Sequence, residues 1–125
     1  MVLGVGIDII EIERIIKSVE RYGDRFLDKV YTTIELEYCL SKFNKFQHLA
    51  ARFAAKEAVY KAVTSGWEQG ISWQDIEIFN DPFGNPEVKP SGKLKTFLAN
   101  DKELKISMSH SDNYVTCVAI IYKSS

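Results

Sequence analysis

No stretch of the 125-residue chain approaches the ~18 to 20 consecutive apolar residues of a membrane-spanning helix, and no charged segment leads into an apolar core and cleavage site. The expectation is a cytoplasmic protein with no membrane association. Cysteine is scarce: only Cys39 and Cys117 occur. They form neither CxxC nor a Cys/His metal spacing, so both are expected to be reduced and structural. An excess of one charge sign is also missing. The formal net charge of −1 argues against a nucleic-acid binder that relies on a global basic field. No repeat, low-complexity tract or linker interrupts the sequence. With 46% apolar content, residues 1–125 suit one domain burying about 65% of its unfolded surface.

What is present is most telling at Arg52-Phe53-Ala54-Ala55-Lys56-Glu57-Ala58-Val59-Tyr60-Lys61-Ala62. At ~100° of rotation per residue, Phe46, Leu49, Phe53 and Tyr60 share one helical stripe, and Glu57 falls between Phe53 and Tyr60. The pattern therefore predicts a carboxylate on a buried stripe. Such a group pairs with a cation, binds a metal or takes up a proton. One partner is Lys61, a turn onward, where a surface pair contributes only ~0.3 to 0.5 kcal/mol. The other is a cation shared with a second carboxylate, and the N-terminal segment offers Asp8. Val5, Ile7 and Ile9 would lie on one face of a strand, with Gly4, Gly6, Asp8 and Ile10 on the other. Glycine weakens a strand unless something approaches its backbone closely, so this face is expected to meet a ligand or a neighbouring chain. A bulge or an edge-protecting charge is the plainer reading.

The remaining pattern predicts an α+β fold, an antiparallel sheet packed around one long central helix. A strand over Val2 to Ile10 precedes a helix from Glu11 to Tyr22, with Ile12, Ile15, Ile16 and Val19 inward. Arg14, Lys17 and Arg21 gather on another face, and Arg25 lies just beyond Gly23. This basic ridge on a near-neutral protein is either a solvated face balanced by Glu13 and Glu20 or a docking surface for an acidic partner. Thr32-x-x-Glu35 is a capping box opening a helix through about Lys42. The central helix is expected from Lys45 to Ser65, ending at Gly66. Its Ala51, Ala54, Ala55, Ala58 and Ala62 would let a sheet or helix approach. A hairpin follows, Asp75 to Phe79 and Glu87 to Lys89 around the Asn80–Pro86 turn. Gly92 to Ala99 reads as a short helix, and Leu104 to His110 and Tyr114 to Tyr122 as strands.

Two carboxylates without His or Cys suit a hard cation, and Mg²⁺ commonly takes one or two carboxylates, waters and a substrate phosphate. Lys61 could reach the same phosphates, and Arg52 and Lys56 lie near the other edge of the Glu57 stripe. His110 closes the alternating set Leu104, Ile106, Met108. It reads as a core histidine or, at a strand end among serines, as a ligand-binding one.

Gly6-Ile7-Asp8-Ile9 with Glu11 and Arg14, then Arg52 to Ala58 with Lys61-Ala62, then Ser107-Met108-Ser109-His110-Ser111, resemble in order and spacing the holo-(acyl-carrier-protein) synthases of the 4′-phosphopantetheinyl transferase superfamily. The resemblance implies a Mg²⁺-dependent transfer of 4′-phosphopantetheine from coenzyme A to a serine of apo acyl carrier protein, serving fatty acid synthesis and releasing adenosine 3′,5′-bisphosphate. It implies Asp8 and Glu57 as metal ligands and catalytic groups with Lys61. Arg52, Lys61, Gly66, Pro86 and His110 would contact coenzyme A, and Arg14, Arg21 and Arg25 the carrier protein. It also implies a homotrimer with active sites between subunits. Glu57 and water on the cation are both acceptors for the serine proton at this stage. The chain departs from the family pattern at Thr64-Ser65-Gly66-Trp67, at Asn85 and at Val115-Thr116-Cys117. A Mg²⁺-dependent phosphohydrolase and a non-catalytic module that docks an acidic protein are the alternative readings.

Overall fold

The computed structural model describes residues 1–64 and 70–124. In chain order the elements are β1 (Val2–Glu11), α1 (Ile12–Tyr22), α2 (Asp24–Val30), α3 (Thr33–Leu40), α4 (Lys45–Thr64), a 3₁₀ turn (Trp73–Asp75), β2 (Ile76–Asn80), β3 (Pro86–Pro90), α5 (Gly92–Leu98), β4 (Lys102–His110) and β5 (Tyr114–Lys123). The class is α+β, as the pattern predicts. A three-stranded antiparallel sheet has the order β1-β5-β4, and β2 and β3 form a separate hairpin. Register places Asp8 opposite Cys117, which in turn faces Met108.

The long helix α4 packs across one face of this sheet. Ala54, Ala55, Ala58 and Ala62 are fully buried, as are Val59 and Val63, while β5 contributes Val115, Cys117, Ala119 and Ile121 to the same core. The glycines of β1 serve this packing. A Cβ added to Gly6 would overlap the Ala58 carbonyl oxygen, and one added to Gly4 that of Ala62. The close approach expected at these glycines is therefore made by the backbone of α4, not by a ligand or a neighbouring chain. The opposite face of β1 is bare: Val5, Ile7 and Ile9 are 54%, 63% and 65% exposed.

The stripe reading of α4 needs correction. Leu49 is buried, but Phe46 and Phe53 are half-covered and Tyr60 is exposed, so Glu57 is half-buried on the least covered flank. The charges that face inward are Arg52 and Lys56. A search for apolar spacing misses this arrangement because the sheet-facing side of α4 is built from alanine. The capping box forms as expected: the Glu35 amide donates to Thr32 Oγ1 at 3.2 Å and the Thr32 amide to Glu35 Oε1 at 2.8 Å. Helix α2 is absent from the sequence reading. It has two turns, too few for a periodic signal, and is held by the burial of Leu27 and Val30. Gly23 separates it from α1 with a φ of 55°, a conformation that favours glycine.

Candidate active site

Asp8 from β1 meets Glu57 and Lys61 from α4 where the helix crosses the sheet edge. The Lys61 ammonium donates to Asp8 Oδ1 at 3.1 Å and to the Ile7 carbonyl at 3.1 Å. Lys61 thus pairs across elements with Asp8, in place of the Glu57–Lys61 helix pair considered from spacing. The Asp8 side chain is 15% exposed, and its backbone carbonyl accepts from Thr116 Oγ1 at 2.8 Å. Burial, and next the Asp8 carboxylate, push the Glu57 carboxyl above its ordinary value, while Lys61 and Arg14 pull it back. Two carboxylates are therefore close enough to repel.

That repulsion is the physical test of a cation site. A divalent ion between the carboxylates would relieve it, and hard oxygen donors suit Mg²⁺. Among the described residues no group of three or more His, Cys, Asp and Glu could hold a metal. An ion here would take its remaining ligands from water and substrate. Beside Glu57 opens a cleft of about 320 Å³, lined also by Lys56, Tyr60, Ile71, Trp73 and Ile76.

On the opposite edge of the sheet, α4 and β4 frame a second groove of about 270 Å³ that includes Gln47, His48, Arg52, Asn80, Pro86 and His110. Arg52 is 3% exposed. Its Nη2 donates to Asn80 Oδ1 at 2.9 Å, and its guanidinium lies 4.3 Å from the Tyr38 ring centre. Its Nε is buried and without a partner among the described residues. Asn80 Nδ2 in turn donates to the Gly84 carbonyl at 3.1 Å, so Arg52 organises the turn that carries Pro86. His110 is exposed, with Nδ1 3.1 Å from Gln47 Nε2. The core-histidine reading is set aside. Gly66 lies outside the described residues.

The predicted site residues thus fall into two groups. Asp8, Glu57 and Lys61 gather at the β1 edge, whereas Arg52, Pro86 and His110 gather at the β4 edge. Strand β5 lies between them, so the edges are ~10 Å apart on strand spacing alone. Arg14, Lys17 and Arg21 of α1 and Arg25 of α2 are all exposed. Arg14 also lowers the Glu57 carboxyl, so the ridge begins at the carboxylate site.

Sequence reasoning missed a fully buried ion pair, Lys56 Nζ to Glu35 at 2.7 Å, both side chains 0% exposed. Burial pulls the Lys56 ammonium below its ordinary value, opposed by Glu35 and Glu77. The capping box explained Glu35 locally, so nothing in the spacing called for a second partner.

A family model described as the 4′-phosphopantetheinyl transferase superfamily matches residues 4–119. A holo-(acyl-carrier-protein) synthase of Protochlamydia amoebophila is 52% identical over 120 residues, covering 96% of this chain and 98% of that protein. The crystal structure of the holo-(acyl-carrier-protein) synthase from Neisseria meningitidis superposes with a TM-score of 0.88 at 32% identity, over 98% of this chain and 100% of that one. The Bacillus anthracis synthase, solved in complex with CoA (3′,5′-ADP), gives a TM-score of 0.80 at 33% identity, over 100% and 99% of the two chains.

Proposed function

The chain belongs to the 4′-phosphopantetheinyl transferase superfamily, and on that premise we propose that it transfers the 4′-phosphopantetheine arm of coenzyme A to a serine of apo acyl carrier protein. The single domain 1–125 would thereby activate a carrier for fatty acid synthesis in the cytoplasm. In this reaction the serine oxygen forms a bond to the β-phosphorus and the pyrophosphate bond breaks. Adenosine 3′,5′-bisphosphate leaves, and the serine proton passes to a base.

The observation that carries the reading is the meeting of Asp8, Glu57 and Lys61 at the head of the basic ridge. Asp8 and Glu57 would hold Mg²⁺, which when bound neutralises charge on the pyrophosphate. Lys61 is half-exposed, so its ammonium can leave Asp8 for a phosphate oxygen. A cation there stabilises charge as it develops on the departing group. Arg14, Arg21 and Arg25 would orient the acidic carrier protein so that its serine reaches this corner.

The groove of Arg52, Pro86 and His110 would receive the nucleotide end of coenzyme A, and the buried Arg52 Nε, without a partner among the described residues, supports an anionic ligand there. One chain holds the two groups on opposite sheet edges. A homotrimer would bring the β1 edge of one subunit to the β4 edge of the next. The exposed apolar face of Val5, Ile7 and Ile9, continued by Val118 and Ile120 of β5, supports such an assembly.

The test is to incubate the protein with Mg²⁺, coenzyme A and apo acyl carrier protein and to follow the carrier by mass spectrometry. Addition of the phosphopantetheine arm is expected. Hydrolysis of coenzyme A without carrier modification would favour the phosphohydrolase, and binding of the carrier without either product would favour the docking module.

A further inference from the structure

Glu35 and Lys56 lie outside both groups of predicted site residues, yet they carry the most deeply buried charges among the described residues. A buried ion pair is a poor means of stabilising a fold, because desolvation of two charges can exceed their attraction. Its connections point elsewhere. Lys56 Nζ donates to the Trp73 carbonyl at 2.9 Å, and Glu35 Oε2 accepts from the Ile78 amide at 2.7 Å. The other Glu35 oxygen holds both Lys56 and the Thr32 amide. These bonds tie the segment Trp73–Ile78 to α4 at the residue preceding Glu57. Lys56, Trp73 and Ile76 line the cleft beside Glu57, so what the pair fixes is the wall of that cleft. The wall is braced from behind as well: Trp73 stacks on Phe53 with ring centres 5.3 Å apart.

We propose that Glu35 is a positioning residue: acting through Lys56, it holds the Trp73–Ile78 wall at a set distance from Glu57 and so shapes the space in which the phosphopantetheine end of coenzyme A meets the attacking serine. The proposal rests on the transferase reading above. Apolar contacts are non-directional and let packed elements slide, whereas the bonds to the Trp73 carbonyl and the Ile78 amide fix register. Misplacement of a reacting group by ~1 Å can cost on the order of 10²-fold in rate. Because desolvation offsets much of the attraction in such a pair, register rather than stability is what these bonds supply.

The test is the neutral double variant Glu35→Gln/Lys56→Met. It leaves no unpaired buried charge and keeps an acceptor for the Ile78 amide. Built in wild type and in a Trp67→Phe background, where Trp73 is the sole indole, it separates stability from positioning. The expected result is a melting temperature near that of the parent, an unchanged coenzyme A dissociation constant, a kcat lower by roughly tenfold or more, and red-shifted Trp73 emission as the wall loosens. Glu35→Gln alone, assayed at a temperature where it is folded, should show the same fall in kcat. A folded variant with parental kcat and emission overturns the proposal. Failure of both variants to fold assigns the pair to stability and overturns it equally. If the wild-type protein itself transfers no arm to a carrier, it is the transferase reading that fails.

Discussion

Burial and the Asp8 carboxylate both disfavour the charged form of Glu57, and Lys61, paired with Asp8, offsets part of this. Asp8→Ala and Glu57→Ala are each expected to lower transfer by about 10²-fold or more while leaving a folded protein. Thermal stability without Mg²⁺ should hold or rise. The partner released by Asp8→Ala, Lys61, is half-exposed, where a pair contributes only ~0 to 1 kcal/mol. Near-normal turnover of either variant would remove the metal-site reading. A second residue-scale effect concerns His48, whose imidazole is held below its ordinary 6.5 by burial first, then by Arg52, Lys42 and His110. A depressed folded value means that folding favours the neutral ring. The stability it contributes is present above the unfolded pKa of about 6.5 and is lost as pH falls through the folded value. Melting temperatures measured from about pH 7 down to about pH 5 should therefore fall more steeply for wild type than for His48→Gln. Parallel profiles would show that His48 does not carry the effect.

At the scale of elements, the contact of β1 with α4 sets the site, because Asp8 and Glu57 meet only if the strand lies against the helix backbone. Gly6→Ala should destabilise by about 1–3 kcal/mol, since its new Cβ would overlap the Ala58 carbonyl oxygen. Urea unfolding measures this, and turnover should fall in the folded fraction as Asp8 is pushed from Glu57. Wild-type stability would show that the strand can shift at no cost. The Gly4-x-Gly6 spacing made a close approach legible in the sequence, but not which object approaches. Spacing likewise placed Glu57 among aromatic residues and predicted that stripe to be buried, whereas it is the less covered flank of α4. Ala54, Ala55, Ala58 and Ala62 decide that, by admitting the sheet on their side.

For the whole molecule, the exposed arginines of α1 and α2 and the bare apolar face of β1 are the surfaces on which the proposed partners are tested. Arg14→Glu/Arg21→Glu should raise the KM for the carrier protein and leave coenzyme A binding intact. Charges interact over only ~8 Å at ~0.15 M ionic strength, so wild-type association should slow with added salt and the double variant should respond less. Equal salt sensitivity would reduce the ridge to a solvated helix face. Ile7 is 63% exposed, so Ile7→Glu should change the stability of a lone subunit by no more than about 0.5 kcal/mol. If the proposed homotrimer forms through this face, Ile7→Glu should give monomers in sedimentation and abolish turnover by separating the two proposed half-sites. A fully active monomer would show that one chain completes its own site.

By itself the sequence determined the order and type of most elements and the family, because these rest on local periodicity, capping chemistry and residue spacing, and it named Asp8, Glu57 and the α1 arginines as candidates. Only the tertiary structure decided which charges are buried, that Lys61 turns to Asp8, and that Arg52 and His110 stand on the far edge of the sheet from Glu57. Those outcomes depend on contacts between residues far apart in the chain, such as Glu35 with the Ile78 amide and Lys61 with Asp8. Their free energies are settled by burial and hydrogen-bond partners that spacing along a chain does not encode.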